Sequence, residues 1–284
     1  MTHTRAPKDP PVLESYMLVV ERGLIFLARN QVRSKDSKDG FLGGSMYAHA
    51  IATQALCEAY GLSRGDRLRI HAQLAIKYRL NSQHEAGGGW WYKPREAGDM
   101  SVTAWVFLAI RSAQLSGIDV LKPPLTRAGR FVDSCAAGPE DAKTSRYAYQ
   151  PGREATLTMT AAGLLTRQYL GWNKDHPDLI AGCQYLMENL PPESGSSLGR
   201  IYYYYHATQV LHHMEGPEFD LWNYRMREHL IRTQEPSGHQ VGSWNPQGTD
   251  RGERGGRMYA TALSLLTLQV YYRHLPMYRP VRRI

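Results

Sequence analysis

The sequence predicts an all-α protein, an α/α toroid of tandem helical hairpins with five recognisable repeats, and three observations predict it. One short frame recurs five times along the chain. Each copy is followed by a Gly-rich or polar loop. Each loop leads into a second segment of helical periodicity that is richer in small residues.

The frame is a small residue, an aromatic three places later, usually an aliphatic next, and then often a glutamine. It occurs as "RGLIFLARNQ" (Gly23, Phe26, Leu27, Gln31), "LAIKYRLNSQ" (Ala75, Tyr78, Gln83) and "RAGRFVDSCA" (Ala128, Phe131, Val132). The last two copies are "AGCQYLMENL" (Gly182, Tyr185, Leu186) and "RMREHLIRTQ" (Met226, His229, Leu230, Gln234). The spacing is about 50 residues, with a shorter last interval. The loops are "SKDGFLGG", "HEAGGGWW", "AGPEDAKTSRYAYQPG", "PPESGSSLG" and "PSGHQVGSW", and the second helices carry "AHAIATQALCEAY", "SVTAWVFLAI", "ATLTMTAAGLL", "YYYYHATQVLHHM" and "RMYATALSLLTLQVYY".

A single hairpin of this kind cannot bury its apolar stripe, so neighbours must stack. An open solenoid and a closed ring both meet that need. Ala, Thr and Gly recur in the second helices, as an inner layer of close approach requires, and this favours the ring; the first helices, with bulky Leu, Ile and Phe plus Arg and Lys, form the outer layer. The expected toroid domain covers 12–275, between an N-terminal tail at 1–11 and a basic C-terminal tail at 276–284 that includes "YRPVRRI".

At 284 residues and 42% hydrophobic, the chain can bury a large core. Its formal charge of +8 is scattered rather than gathered in a run, so no nucleic-acid partner is expected. Cys57, Cys135 and Cys183 lie far apart with no CxxC pair, so neither a disulfide framework nor a cysteine-rich zinc site is implied, and reduced, buried thiols are expected. The first residues lack the apolar run of a signal peptide, and no segment nears the roughly 18 apolar residues of a membrane helix. The expectation is a soluble, cytoplasmic chain as given, with no membrane span, cofactor or metal; an anchor or export signal further upstream would lie outside this sequence.

The segments "RGLIFLARNQ…DGF", "YRLNSQ…GGGW" and "IRTQ…GSW" resemble the Gln-Trp repeat of the terpene cyclase and protein prenyltransferase superfamily. Gln31, Gln83 and Gln234 stand as the glutamines, and Phe41, Trp90 and Trp244 as the aromatic ends. The likeness runs from about Val19 to Tyr272 and is strongest to bacterial prenyltransferase and squalene oxidase repeat proteins, on "WYKPREAGDMSVTAW", "LLTRQYLGW" and "GGRMYATALSLLTLQVYYRHLPMY". The resemblance implies an α/α toroid. It implies less about function, because one toroid hosts cyclases, lipid transferases and non-enzymatic thioester domains.

The chemistry of those relatives requires residues that are absent. A class II terpene cyclase protonates an alkene with a DxDD carboxylic acid, and this chain has no adjacent Asp pair. At the corresponding place stands "GDMSVTAW", in which Asp99 reads first as a helix N-cap, where amides favour the ionised form. "DHPD" supplies half of a DDxxD magnesium motif, with Asp175 expected as a cap and Asp178 beside it. The Asp, Cys, His zinc set of protein prenyltransferases, the "GCGEQ" run of thioester domains, a serine elbow and phosphate-cradling Gly loops are all missing.

Helical phase sorts "GRIYYYYHATQVLHHM" into two faces. Tyr203, Ala207, Val210, Leu211 and Met214 form the side expected to pack on outer helices. Tyr202, Tyr205, His206, Gln209, His212 and His213 form the other, which would face a lumen. The same phase puts Tyr47, Gln54 and Glu58 inward, and Trp105, Ala162 and Ala262 at the level of Gln209. Tyr259 joins them as a ligand contact. The expected rim holds Asp99, Arg153, Glu154, Arg200, Arg254 and Arg257, with Trp90, Trp91, Tyr147, Tyr149 and Trp244 on the loops, either as an anion site or as arginines paired with nearby acids and aromatics pinning turns. His206 and His213 lie two turns apart, about 10 Å along the axis, too far to share a metal alone. Two satisfied polar histidines and one at the surface are expected, unless Tyr205 or His206 serves as a proton donor or acceptor.

Three functions stand open. The first is an enzyme acting on an apolar, isoprenoid-like substrate with an anionic head, with Asp99, Tyr205 and His206 as the candidate catalytic groups and Tyr47, Gln54, Trp105, Tyr202, Gln209, Arg200, Arg257 and Tyr259 as ligand contacts. The second is a non-catalytic binding or scaffold toroid. The third is a glycan-active toroid.

Overall fold

The computed structural model describes residues 10–273 and Met277, with side chains from Tyr16 onward. Most of the expected N-terminal tail, and the basic C-terminal tail apart from Met277, lie outside the described residues. The chain divides into two compact units, one ending at Ala128 and the other beginning at Gly129. The first holds α1 (Pro10–Asn30), α2 (Met46–Ser63), α3 (Asp66–Asn81) and α4 (Met100–Leu115), and α5 (Lys122–Ser134) runs across the division. The second holds a 3-10 turn (Glu140–Ser145), α6 (Leu157–Tyr169), α7 (Pro177–Met187), α8 (Ile201–Met214), α9 (Gly216–Thr233), α10 (Gly252–Leu268) and α11 (Val270–Arg273). Among the described residues there is no strand, so the all-α, repeat-like character expected from periodicity is present.

Within the first unit α2 packs on α3 and α4, and within the second α8 packs on α6, α9 and α10. The small-residue helices α4, α6 and α8 are buried on nearly every side, as helices without a charged face must be. The starts of α2, α4 and α6 are fixed by side-chain caps where the chain leaves a loop. Ser45 accepts from the Ala48 amide, Asp99 from that of Val102 and Thr156 from that of Met159.

The frame glutamines join one hairpin to the next helix. Gln31 donates through Nε2 to the carbonyls of Gly40 (3.2 Å) and His71 (2.9 Å), while its Oε1 accepts from His71 Nδ1 (2.5 Å). Gln83 repeats this with Gly88 (2.6 Å) and Pro124 (2.9 Å), and its Oε1 accepts from Arg127 Nε (2.9 Å). Gly40 and Gly88 hold φ of +93° and +76°, and a Cβ on either would collide with a carbonyl oxygen of the incoming helix, that of Leu74 or Arg127. Both requirements, left-handed backbone and close approach, leave glycine as the residue that fits.

The aromatic ends do a second job. The amides of Trp90, Tyr147 and Trp244 each donate to a threonine hydroxyl of the following helix, Thr103, Thr160 and Thr261, all at 3.1 Å. Trp90 and Trp244 also donate through Nε1 to the Arg79 and Leu230 carbonyls at 2.9 Å, so each indole ties the end of a first helix to the start of the second. Elsewhere the expectation for Asp175 fails: α7 begins at Pro177 with His176 as its N-cap residue, and it is Asp178 that accepts from the amide and hydroxyl of Thr144. A proline at the first helical position moves the boundary past Asp175.

Gly88→Ala is expected to cost about 3 kcal/mol or more, from strain and overpacking together. Gly242→Ala has a similar φ of +81° but no atom within 4 Å of the added carbon, and should cost about 1 kcal/mol, measured by urea unfolding.

Candidate functional site

In the first unit the expected inward residues form two layers. Tyr47 Oη accepts from Trp105 Nε1 (2.6 Å), and the Tyr47 ring stacks on Tyr92 with centroids 5.9 Å apart and planes 7° apart. Trp91 meets Tyr92 edge-on at 5.2 Å. Two turns along α2, Gln54 Nε2 donates to Glu58 Oε1 (2.8 Å), which also accepts from Ser112 Oγ (3.3 Å). Trp105 and Gln54 are buried, whereas Tyr47, Glu58, Trp91 and Tyr92 remain half-exposed. The result is an accessible aromatic layer over a polar one. The Met46 amide fixes the loop side by donating to the Tyr92 carbonyl (3.0 Å).

Asp99 sits below the surface of the same unit, fully buried. Its Oδ1 accepts from the Val102 amide (2.9 Å) and from Ser101 Oγ (2.6 Å), the cap geometry expected from sequence. Beside it lies Arg79, also fully buried, with its guanidinium 5.9 Å from the Trp90 ring centre and no hydrogen-bond partner for its side-chain nitrogens among the described residues. Burial lowers its pKa to about 9, opposed by the attraction of Tyr78 and Asp99. The Asp99 carboxylate is thus both helix cap and countercharge. A carboxyl so engaged serves the start of α4 and lies below the surface, away from any bound substrate.

His49 is buried nearby and accepts from the Leu42 amide at Nδ1 (3.2 Å), so its Nε2–H donates to the Ala75 carbonyl (3.2 Å). Burial first, and then Arg79, depress its pKa to about 3.

In the second unit the four tyrosines of α8 part as phase requires. Tyr203 donates to the Leu186 carbonyl (2.9 Å) and meets Trp222 edge-on, and Tyr204 lies between Trp222 and His229, so these two face α7 and α9. On the other face Tyr202 and Tyr205 flank His206 at 4.7 and 5.1 Å, with Gln209 donating to the Tyr205 carbonyl (3.3 Å). This cluster is together as expected but buried, with Tyr205 1% and His206 0% exposed. His206 donates from Nδ1 to the Tyr202 carbonyl (3.1 Å), and burial lowers its pKa to about 4, so it is neutral near pH 7. His212 and His213 are buried too, which corrects the expectation of a surface histidine: His212 packs on Phe219 and Tyr271, and His213 on Tyr169.

The rim arginines divide. Arg257 is engaged by Ser243 Oγ (3.0 Å) and Glu235 (3.4 Å), holding the Trp244 loop, with Tyr259 half-buried two residues on. Arg200 is exposed, 5.6 Å from the Tyr203 ring centre. Arg153, Glu154 and Arg254 are exposed. Sequence reasoning missed Asp250, whose Oδ1 accepts from the Tyr202 amide (3.4 Å) and caps α8 from a distant loop. Its pKa is raised by burial, against the helix amides and Arg251 and Arg200. The only signal was negative: Arg200 precedes α8 and cannot cap it. Among the described residues no cluster of metal-ligating side chains occurs.

Asp99→Asn should lose about 2 to 4 kcal/mol of stability, because the cap weakens and Arg79 keeps a buried, uncompensated charge. The histidines set a pH dependence of defined sign. With folded pKa values below the unfolded 6.5, the unfolded chain binds more protons, so stability is present above pH 6.5 and is lost as pH falls toward about 4 for His206 and about 3 for His49. His206→Gln should narrow the stability difference between pH 7 and pH 4.5, measured by thermal unfolding at both.

Compared with models of protein families, curated proteins and solved structures, the chain has no match in any of the three.

Proposed function

We propose that the chain is an α/α-toroid protein of the terpene cyclase and prenyltransferase type, with α2, α4, α6, α8 and α10 as inner helices, that binds an apolar, isoprenoid-like ligand with an anionic head. The observation that carries the reading is the half-exposed layer of Tyr47, Trp91 and Tyr92 over Trp105, a surface of ring faces and edges suited to a hydrocarbon chain. Arg200, which immediately precedes α8, is assigned a separate role, an anion contact in the second unit, on its exposure and its place at a helix N-terminus.

A second reading, a non-catalytic toroid, draws on Asp99. Its carboxylate is buried and engaged by Val102 and Ser101 beside Arg79, which commits the expected acid position to holding α4. Binding without turnover satisfies both readings, and Tyr205 and His206 then serve as polar packing of α8.

Titration with farnesyl diphosphate, farnesol and an acidic oligosaccharide, read by tryptophan fluorescence, tests the assignment. The two prenyl probes should quench saturably, and Tyr92→Ala should weaken them about tenfold, roughly 1.4 kcal/mol, without change in fold. Inorganic diphosphate binding, read separately by calorimetry, should be lost in Arg200→Gln. Saturable quenching by the oligosaccharide alone would favour the glycan-active alternative, and quenching by none would leave the scaffold.

A further inference from the structure

The junction that joins hairpins inside the chain has two halves, and among the described residues each end of the helix series displays one half uncovered. The donor half is a frame glutamine with its left-handed glycine. Gln234 repeats that pattern, since its Nε2 donates to the Gly242 carbonyl (2.9 Å) and Gly242 has φ +81°. At Gly40 and Gly88 the space a Cβ would take is filled by a carbonyl of the next first-type helix. At Gly242 that space has no atom within 4 Å among the described residues, and Val241 and Ile231 beside it are 61% and 58% exposed.

The receiving half lies on α1. The frame register carries Val19 onto His71, Arg22 onto Leu74, Gly23 onto Ala75 and Phe26 onto Tyr78. On α3 His71 and Leu74 are half-buried and the other two are covered: Ala75 is 0% exposed, and Tyr78, 7% exposed, packs on Phe41 of the preceding loop at 5.1 Å. On α1 the same positions face outward, with Val19 64% and Phe26 65% exposed and Arg22 exposed between them. Arg22 also occupies the register of Arg127, whose Nε donates to Gln83 Oε1.

We propose that α1 of one copy docks on the Gln234–Gly242 loop of a second copy, with the Arg22 carbonyl over Gly242, the Arg22 side chain reaching the Gln234 amide oxygen, and Phe26 and Val241 at the edges of the contact. The occupant is argued by continuity: the same interface occurs at Gln31 and Gln83, and a second copy carries the complementary half. The contact is heterologous, so it generates a closed ring or an open head-to-tail series according to its rotation. It stands on the junction geometry and is independent of the ligand reading.

Sedimentation velocity over a concentration series tests it on the full chain. The native protein should self-associate. Phe26→Glu and Val241→Glu, both at exposed positions, should each weaken association about tenfold or more while keeping the native circular dichroism. An equimolar mixture of the two should regain a dimer, because one chain retains an intact loop and the other an intact α1. Three results would overturn the proposal: a native monomer at every concentration, association unchanged in both variants, or intramolecular linkage of a monomer carrying Arg22→Cys and Val241→Cys by a short bismaleimide. The last result would place α1 on the loop of its own chain.

Discussion

A glutamine amide offers two N–H donors and one carbonyl acceptor, and at Gln83 all are engaged by groups far apart in sequence: its own loop at Gly88, the first turn of α5 at Pro124, and the Arg127 side chain. The same closure occurs at Gln31 with Gly40 and with both backbone and ring of His71. A buried polar side chain satisfied in this way fixes both direction and distance, because a shifted helix would leave a donor or acceptor buried without a partner, at about 1 to 3 kcal/mol each. Apolar stacking supplies most of the stabilisation in such a repeat, but it tolerates sliding. The glutamine gives the stack its register.

The tryptophan that follows the Gln83 loop works from the opposite side. Trp90 ties the C-terminal carbonyls of α3 to the start of α4, and its ring covers the buried guanidinium of Arg79, whose countercharge is Asp99. A chain from loop to indole to cation to carboxylate therefore runs to the first turn of α4. Here the carboxylate holds a helix and neutralises a buried cation. The same economy appears at Arg257, which supports the Trp244 loop through Ser243 and Glu235.

Helix content, the roles of Trp90 and Trp244, the Asp99 cap and the two faces of α8 were legible in the sequence because each follows from local periodicity or from a residue type with one strong geometric preference. Arg79 was not, since "KYRLN" reads as a solvated arginine and only the packing of α3 against the Trp90 loop encloses it. Asp250 escaped for the same reason: it caps α8 from across the fold, and no local spacing records that contact. The burial of His212 and His213 near the end of α8 reflects neighbours on α6, α9 and α11 that a single-helix projection omits.

The central claim is that the glutamine junction acts as one coupled unit. A double-mutant cycle of Gln83→Leu and Arg127→Leu in urea unfolding tests it most directly. The account predicts a coupling energy of about 1 kcal/mol or more between the two substitutions. Additivity within about 0.3 kcal/mol would contradict it, and would mean that stacking alone sets the register of the helices.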